Sequence, residues 1–522
     1  MYLGRGWRRT VVSATVLGWV VGGAWGCGGG TKPSDPMDCQ DTAAGCPAGQ
    51  PAVPNDVPPP PTEPETPPTE PDTGPNETPP PDEEPEQVPP ASGATLWLAK
   101  EGSAQDDLAL DLAVDASGDF FSAAVHDYDD LDARAPTDDS VQLVLTRRSG
   151  AGQTLWTQAY DVRVATAPLA LRADVRVRIA ADGAGGLLVA GNHQGLIDLG
   201  TGKLGDGTFV ARLSGEGATL WAHALPALTV ADVAADAQGR LYVAYTAPGT
   251  VDLGADVKGP SAGVAVFALD GTPERAFAVG QAESDGAGAQ PLALALSEDG
   301  SVAVAGRYEG TVRFGTHTTQ AAGSGSPFVA LYRANGTLGW VKVRPGVKGS
   351  ARDVSRGPTG DVVAGGDFQG GFSWANAPLK GAANPSPFIV VTAADGTERW
   401  AREMGPDAQM QGVAMQASGE VLAVGYTYSW LENGATGQDG LGSAQLFTQR
   451  FDAAGQALVS RLFLGVTPEP RGELYGVEAV PAVVLMPDGD AVLYGHTDRV
   501  TDFGVDKLKP LRGDIFLLRV KY

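Results

Sequence analysis

An all-β fold, a seven-bladed β-propeller of four-stranded antiparallel blades, is what this sequence predicts, and three observations carry that expectation. A turn ending in glycine recurs seven times, at Gly118, Gly185, Gly239, Gly300, Gly360, Gly419 and Gly489, a mean spacing of about 62 residues that points to a repeat architecture. The segments on either side of each turn are short apolar or alternating runs of strand length. The repeats also begin in mid-unit. ATLWLAKEG, residues 94–102, has the form of a unit's fourth strand with no first three ahead of it, while the seventh unit reaches Tyr522 without a fourth. The two ends therefore complete one blade. Such closure removes the free sheet edges that invite aggregation, and an open solenoid would have no reason to split a repeat this way.

The strands follow one another in a fixed order. The first strand runs into the glycine turn. The second follows it as DFFSAAV, LLVAG, RLYVAY, SVAVAG, DVVAGG, VLAVGY and AVLYG. The third reads VQLVLTR, TFVARL, GVAVFAL, PFVALYR, PFIVVTA, QLFTQRF and DIFLLRV. Six third strands lead through another glycine turn into a fourth strand, and Trp97, Trp156, Trp221, Trp340 and Trp400 recur at its equivalent position. An indole there buries a large apolar area between neighbouring blades. The third and sixth units lack this Trp, which predicts less uniform packing. The stretch from Thr208 to Tyr245 looks like a four-strand unit, but it joins the last two strands of one blade to the first two of the next.

Ahead of the repeats the chain divides into a signal peptide, residues 1–26, and a segment predicted to be disordered, 27–93. Arg5, Arg8 and Arg9 precede an apolar run from Val11 to Val21 and then small residues up to Cys27, the three-part pattern of an export signal. Ala24-Trp25-Gly26-Cys27 resembles the lipobox of bacterial lipoproteins, which implies lipidation of Cys27 and an anchor in the outer membrane or at the cell surface. Ordinary cleavage with periplasmic or secreted protein is the alternative. Cys39 and Cys46, the two remaining cysteines, suit a small disulfide loop in an oxidising compartment. From Pro47 to Pro90 there are 18 prolines, 10 acidic residues and no Lys or Arg. That composition has too little apolar surface to fold and extends as a semi-rigid stalk, up to on the order of 130 Å long.

The degenerate pattern of Asp-x-x-Gly, an apolar strand ending in Ala-Gly or Tyr-Gly, a further strand, a glycine turn and Leu-Trp resembles the bacterial seven-bladed propeller repeats of the SBBP type over residues 94–522. That family is found on secreted proteins and lipoproteins, so the resemblance implies a fold and a location but no activity. Pyrroloquinoline-quinone propeller enzymes also carry Gly-x-x-x-Trp repeats, but their paired adjacent cysteines are missing here.

Function is expected at one end of the propeller. The second-to-third and fourth-to-first connections are long and share an end, where loops on a rigid scaffold usually carry recognition. The aligned position just past each second strand carries Val125, Asn192, Thr246, Arg307, Asp367, Tyr426 and His496, followed by His126, His193, Tyr308 and Phe368. Asn192, His193, Arg307, Tyr308, Asp367, Tyr426 and His496 are thus candidate binding residues at a channel rim. The loop 126–139 holds six aspartates. Its Asp127, Asp129, Asp130 and Asp132 could donate carboxylate oxygens to calcium, although the loop lacks the glycine and glutamate of an EF-hand. His126, His193 and His496 share the rim register and could hold zinc, but no local ligand spacing accompanies them.

Catalytic residues are not expected, because no nucleophile elbow, phosphate loop or dinucleotide fingerprint occurs. A net charge of -25 makes nucleic acid a poor partner. The expectation is a non-enzymatic, monomeric envelope protein that binds a protein or a glycan and touches the membrane only through its lipid. A metal-dependent hydrolase or lactonase and a purely structural envelope protein are the alternatives.

Overall fold

The computed structural model describes residues 94–522 except 104–106, 128–139, 164–173, 322, 324, 383, 406–407, 428–444, 464–478, 498–500 and 510–513. Regular structure among the described residues is β only, and it forms seven sheets of four or more antiparallel strands together with smaller hairpins. Sheet 1 contains Leu108–Val114, Phe120–His126, Ser140–Arg148 and Thr154–Arg163. The first strands of sheets 2 to 7 are Asp174–Ala181, Thr229–Ala235, Gly288–Leu296, Lys348–Arg356, Ala408–Met415 and Ala479–Leu485. These first strands neighbour one another in chain order, and that of sheet 7 also neighbours that of sheet 1. The fold is a β-propeller. In sheet 7 the outermost strand is Thr95–Glu101, paired antiparallel with Asp514–Val520.

Each sheet is buried on both faces, which is why its second strand reads as a nearly continuous apolar run and not as an alternation. In sheet 1, Phe121, Ala123 and Val125 enter a core shared with sheet 2, whereas Phe120 and Ala124 enter a core shared with sheet 7. Five further cores join the successive pairs from sheets 2 and 3 through to sheets 6 and 7.

The recurrent Asp-x-x-Gly is a side-chain-capped turn. In sheet 1, Asp115 Oδ1 accepts the N–H groups of Ser117 at 2.9 Å and Asp119 at 3.0 Å. Gly118 stands at φ +84°, a conformation glycine adopts without strain.

The recurrent Trp has a specific seat. Each indole of a fourth strand packs against the glycine in the third-to-fourth turn of the next sheet. A Cβ on Gly217 would lie 2.9 Å from Trp156, one on Gly396 2.9 Å from Trp340, and one on Gly455 2.6 Å from Trp400. The Nε1–H groups of Trp156, Trp221, Trp340 and Trp400 donate to Gly215, Leu269, Ala394 and Ala453 carbonyls of those turns at 2.8–3.0 Å. Trp97 of sheet 7 also sits on the turn glycine of the next sheet, where a Cβ on Gly152 would lie 3.2 Å from its ring, but its Nε1–H is buried with no acceptor among the described residues. In the third unit Phe277 fills the equivalent space under Gly336, while in the sixth Arg461 packs beside Gly504, a different seat in the second-to-third hairpin of sheet 7. The packing differs in those two units but is not lost.

Five of the long second-to-third connections share one form. They are β-hairpins, Leu196–Asp198 with Lys203–Leu204, Val251–Gly254 with Val257–Gly259, Thr311–Phe314 with His317–Gln320, Phe372–Trp374 with Ala377–Leu379, and Thr501–Asp502 with Lys507–Leu508. Two of them turn through adjacent residues of positive φ, Ala255-Asp256 and Ala375-Asn376, the backbone that matches strand twist in a tight hairpin. Each sends apolar side chains into the junction with the preceding sheet. Examples are Ile197, Leu253, Phe314, Trp374 and Phe503, all buried.

Candidate binding site at the long-connection end of the channel

The register of the sheets puts the aligned second-strand residues level with one another. Asn192 pairs across with Arg176, Thr246 with Thr229, Arg307 with Gln290, Asp367 with Ser350, Tyr426 with Gln409 and His496 with Ala479. Val125 pairs with Leu108. Side chains directly opposite in an antiparallel ladder lie on one face and interact. Two aligned sets of residues therefore stand at this end, one on the first strands and one on the second.

Several members are tied to each other or to the next sheet. Asn192 donates from Nδ2 to Thr208 Oγ1 at 2.9 Å and to the Leu228 carbonyl, and its Oδ1 accepts the Val230 N–H at 2.8 Å. It thereby clamps the start of sheet 3 to sheet 2. Asp367 accepts the Met410 N–H at 2.9 Å and is paired with Arg352, clamping sheet 6 to sheet 5. Burial pushes the Asp367 carboxyl above its ordinary range, with Arg352 acting in the opposite direction. Tyr426 donates to Gln409 Oε1 at 2.6 Å. Arg307 donates from Nε to Gln290 Oε1 at 2.7 Å, and its side chain is 40 % exposed.

One residue further along, the side chains point to the opposite face, as the strand period requires. His193 is buried, with Nδ1 3.0 Å from the Gly195 carbonyl oxygen and its ring edge-on to Phe209. Burial holds its imidazole below the usual range, against the Gly195 carbonyl and Asp206. Tyr308 is buried as well, its hydroxyl 3.2 Å from Thr319 Oγ1 and its ring edge-on to Phe314. Both pack beneath hairpins, and Phe368 does so against Phe372.

Among the described residues, no three His, Cys, Asp or Glu side chains converge so as to hold a metal ion. Of the acidic loop, Asp127 has φ 60° and donates its N–H to Asp107 Oδ1 at 3.3 Å. Asp129, Asp130 and Asp132 lie outside the described residues, as do Cys27, Cys39 and Cys46.

A second set of residues, at the channel waist, was not anticipated from the sequence. Asp111, Arg178, Asp232 and Asp353 occupy equivalent positions on the first strands of sheets 1, 2, 3 and 5, opposite Ala123, Ala190, Ala244 and Gly365. Asp111 Oδ2 accepts the Ile179 N–H at 2.8 Å, Asp232 Oδ2 the Leu294 N–H at 2.7 Å, and Asp353 Oδ2 the Val413 N–H at 2.7 Å. Arg178 donates to the Leu110 carbonyl at 2.9 Å and the Ala231 carbonyl at 3.2 Å. Leu110 and Ala231 sit where the ladder shifts register, and sheet 2 has no such shift. A bulge of this kind re-aims backbone groups out of the ladder, which leaves those carbonyls free to accept from Arg178. The carboxyls are only partly covered, since they border the channel, yet protein surrounds them. Burial and then the neighbouring Asp111 charge push Asp232 up to about 8, against Arg178. Burial pushes Asp353 up to about 6 and raises Asp111 too.

A sequence signal for this set exists. Each member stands four residues before the first residue of its turn, at Asp115, Asp182, Asp236 and Gly357.

No protein-family model matches the chain, and no curated protein matches it. Among solved structures, the chain is similar to the RRP9 WD40 repeats at 11% identity, covering 82% of this chain and 99% of that one, with a TM-score of 0.44. A protein of unknown function from Dyadobacter fermentans aligns at 11% identity over 83% of this chain and 100% of its own, with a TM-score of 0.40. A polysaccharide lyase of family PL25, an ulvan lyase, aligns at 10% identity over 70% and 87%, with a TM-score of 0.39.

Proposed function

We propose that the chain is an exported, lipid-anchored propeller of seven blades, closed on itself by its N-terminal strand, that binds an envelope protein or a glycan at the long-connection end of its channel and catalyses no reaction. The closed ring is supported by the core shared between sheets 7 and 1, and by Trp97 seated on Gly152 across that junction. It acts as a monomer displayed on the cell envelope, with the proline-rich segment as its spacer and Cys27 as its anchor.

The observation that carries the binding reading is the level set of polar pairs at one end, above all Gln290 with the exposed Arg307, beside Gln409, whose partner Tyr426 is itself buried. Amide, guanidinium and phenol groups on a rigid frame suit hydrogen bonding to hydroxyl-rich or peptide ligands. Hydroxyl recognition by such groups gains specificity because an unmatched partner leaves them unpaired.

The test is a glycan array and a pull-down from solubilised envelope, each run with the mature protein and with R307A and Q290A. A ligand retained by the wild type and lost by both variants supports the reading. Equal retention would place recognition elsewhere. Stoichiometric bound metal together with ester or lactone hydrolysis would replace the reading with the metal-dependent hydrolase. Incorporation of labelled fatty acid that disappears in C27A tests the anchor.

A further inference from the structure

The waist of the channel carries more negative charge than its own cation balances. Three carboxyls, Asp111, Asp232 and Asp353, share one level with a single guanidinium, Arg178, while the equivalent positions of sheets 4, 6 and 7 are Ala293, Gly412 and Ala482. Each carboxyl is also a clasp. Asp111 holds sheet 2 to sheet 1, Asp232 holds sheet 4 to sheet 3, and Asp353 holds sheet 6 to sheet 5, each through one backbone N–H. Arg178 completes the level by tying sheet 2 to both of its neighbours.

We propose that these three inter-sheet carboxyl clasps form a proton-controlled device, drawing the propeller together at its waist when they hold protons and loosening it when they release them. The inference does not depend on what the channel mouth binds. Its physical basis is that like charges facing one another and partly covered by protein repel, whereas a neutral carboxyl still accepts the N–H bond without that repulsion.

The surroundings of Asp232 decide the sign. Facing it are Asp111 from sheet 1, Arg178 from sheet 2 and Asp353 from sheet 5. Sheets 4, 6 and 7 offer Leu294 with Ala293, Gly412 and Ala482 at this level, none of them charged. One cation among three acids leaves proton uptake as the means of relieving the excess. With the folded-state carboxyl raised to about 8 from 3.8, the folded protein holds protons that the unfolded chain has already lost. Stability from this group is therefore complete below about pH 4 and is lost as pH rises through about 8. Asp353, raised to about 6, loses its share earlier in the same rise.

The experiment is thermal melting of the mature full-length protein from pH 5 to pH 9, beside D232N and D232N/D353N. Asn keeps an oxygen acceptor for Leu294 and Val413 but cannot titrate. The wild-type Tm falls across this range, and the variants fall less, so that the gap between them widens with pH. Parallel curves would overturn the proposal.

Carbon-detected titration of the wild type keeps the test open if the variants do not fold. At least one Asp carboxyl should titrate two or more units above the others, and titration of all of them below pH 5 would overturn the proposal. Amide exchange reports the loosening itself. After division by the intrinsic rate, Leu294 protection in the wild type drops by roughly tenfold or more between pH 6 and pH 9. Unchanged protection would reduce the clasps to static hydrogen bonds.

Discussion

The Arg519 guanidinium of sheet 7 donates to the Gly150 carbonyl of sheet 1 at 2.6 Å, across 369 residues of sequence. Arg147 of sheet 1 donates to the Gly215 carbonyl of sheet 2 at 2.9 Å in the same way. Each arginine also pairs with aspartates of its own first turn, Asp490 for Arg519 and Asp115 for Arg147. The contact between the last sheet and the first thus repeats, group for group, a contact between consecutive sheets.

The N-terminal strand is a structural member of that last sheet, since Thr95–Glu101 pairs antiparallel with Asp514–Val520, the strand that carries Arg519. W97A removes the ring seated on Gly152 and is expected to cost ~2–4 kcal/mol, as truncation of a large packed aromatic does. Deleting residues 95–101 strips the whole edge strand and is expected to lower the Tm by on the order of 10 °C or more. Thermal melts check both, and an unchanged curve for the deletion contradicts the role given to this strand.

The indole seats predict which glycines cannot change. Gly455 has φ +78°, and a Cβ there would meet Trp400 at 2.6 Å. G455A is expected to cost roughly 2–4 kcal/mol from strain and displaced packing together. Gly346 has no atom near the equivalent position, so G346A should stay within about 0.5 kcal/mol of wild type. Chemical denaturation midpoints of the two variants measure the difference.

The rim residues should separate by consequence. N192A leaves the Val230 N–H without its side-chain acceptor, while Thr208 Oγ1 still donates to the Leu228 carbonyl at 2.8 Å, and is expected to cost about 1–3 kcal/mol. R307A removes a group that is 40 % exposed and should leave stability within about 0.5 kcal/mol while weakening ligand capture. Denaturation and pull-down on the same preparations check the split.

His193 gives a pH dependence opposite in sign to that of the waist. Its folded-state value is lowered by burial from 6.5, so the unfolded chain binds the proton first. Stability from this group is present above about pH 6.5 and is lost as pH falls through the folded value. H193L should remove that component, and the difference between wild type and variant in urea midpoint should grow from pH 7.5 down to pH 5.

The sequence made the frame legible wherever a signal repeated over a whole strand. The apolar second strands, the Asp-x-x-Gly turns and the Leu-Trp strands each recur at strand length, and Thr95–Glu101 does pair beside the last strand of the chain. The hairpins are not legible in the sequence because their alternation spans only two to four residues per strand, as in Phe372–Trp374, too short to stand out as a period. Orientation was the harder matter at the rim. A step of one residue along a strand reverses the face, so His193 and Tyr308 lie under hairpins while Asn192 and Arg307 reach first-strand partners. The waist aspartates were hidden in composition. Among 62 acidic residues, three that share a register are visible only once the turns are aligned.

Recognition at the long-connection end of the channel is tested most directly by hydrogen–deuterium exchange of the mature protein with and without solubilised envelope. Added protection is predicted over residues 192–194, 307–309 and 426–427, with none at the Asp-x-x-Gly turns. Protection confined to those turns or to the outermost strands would contradict it.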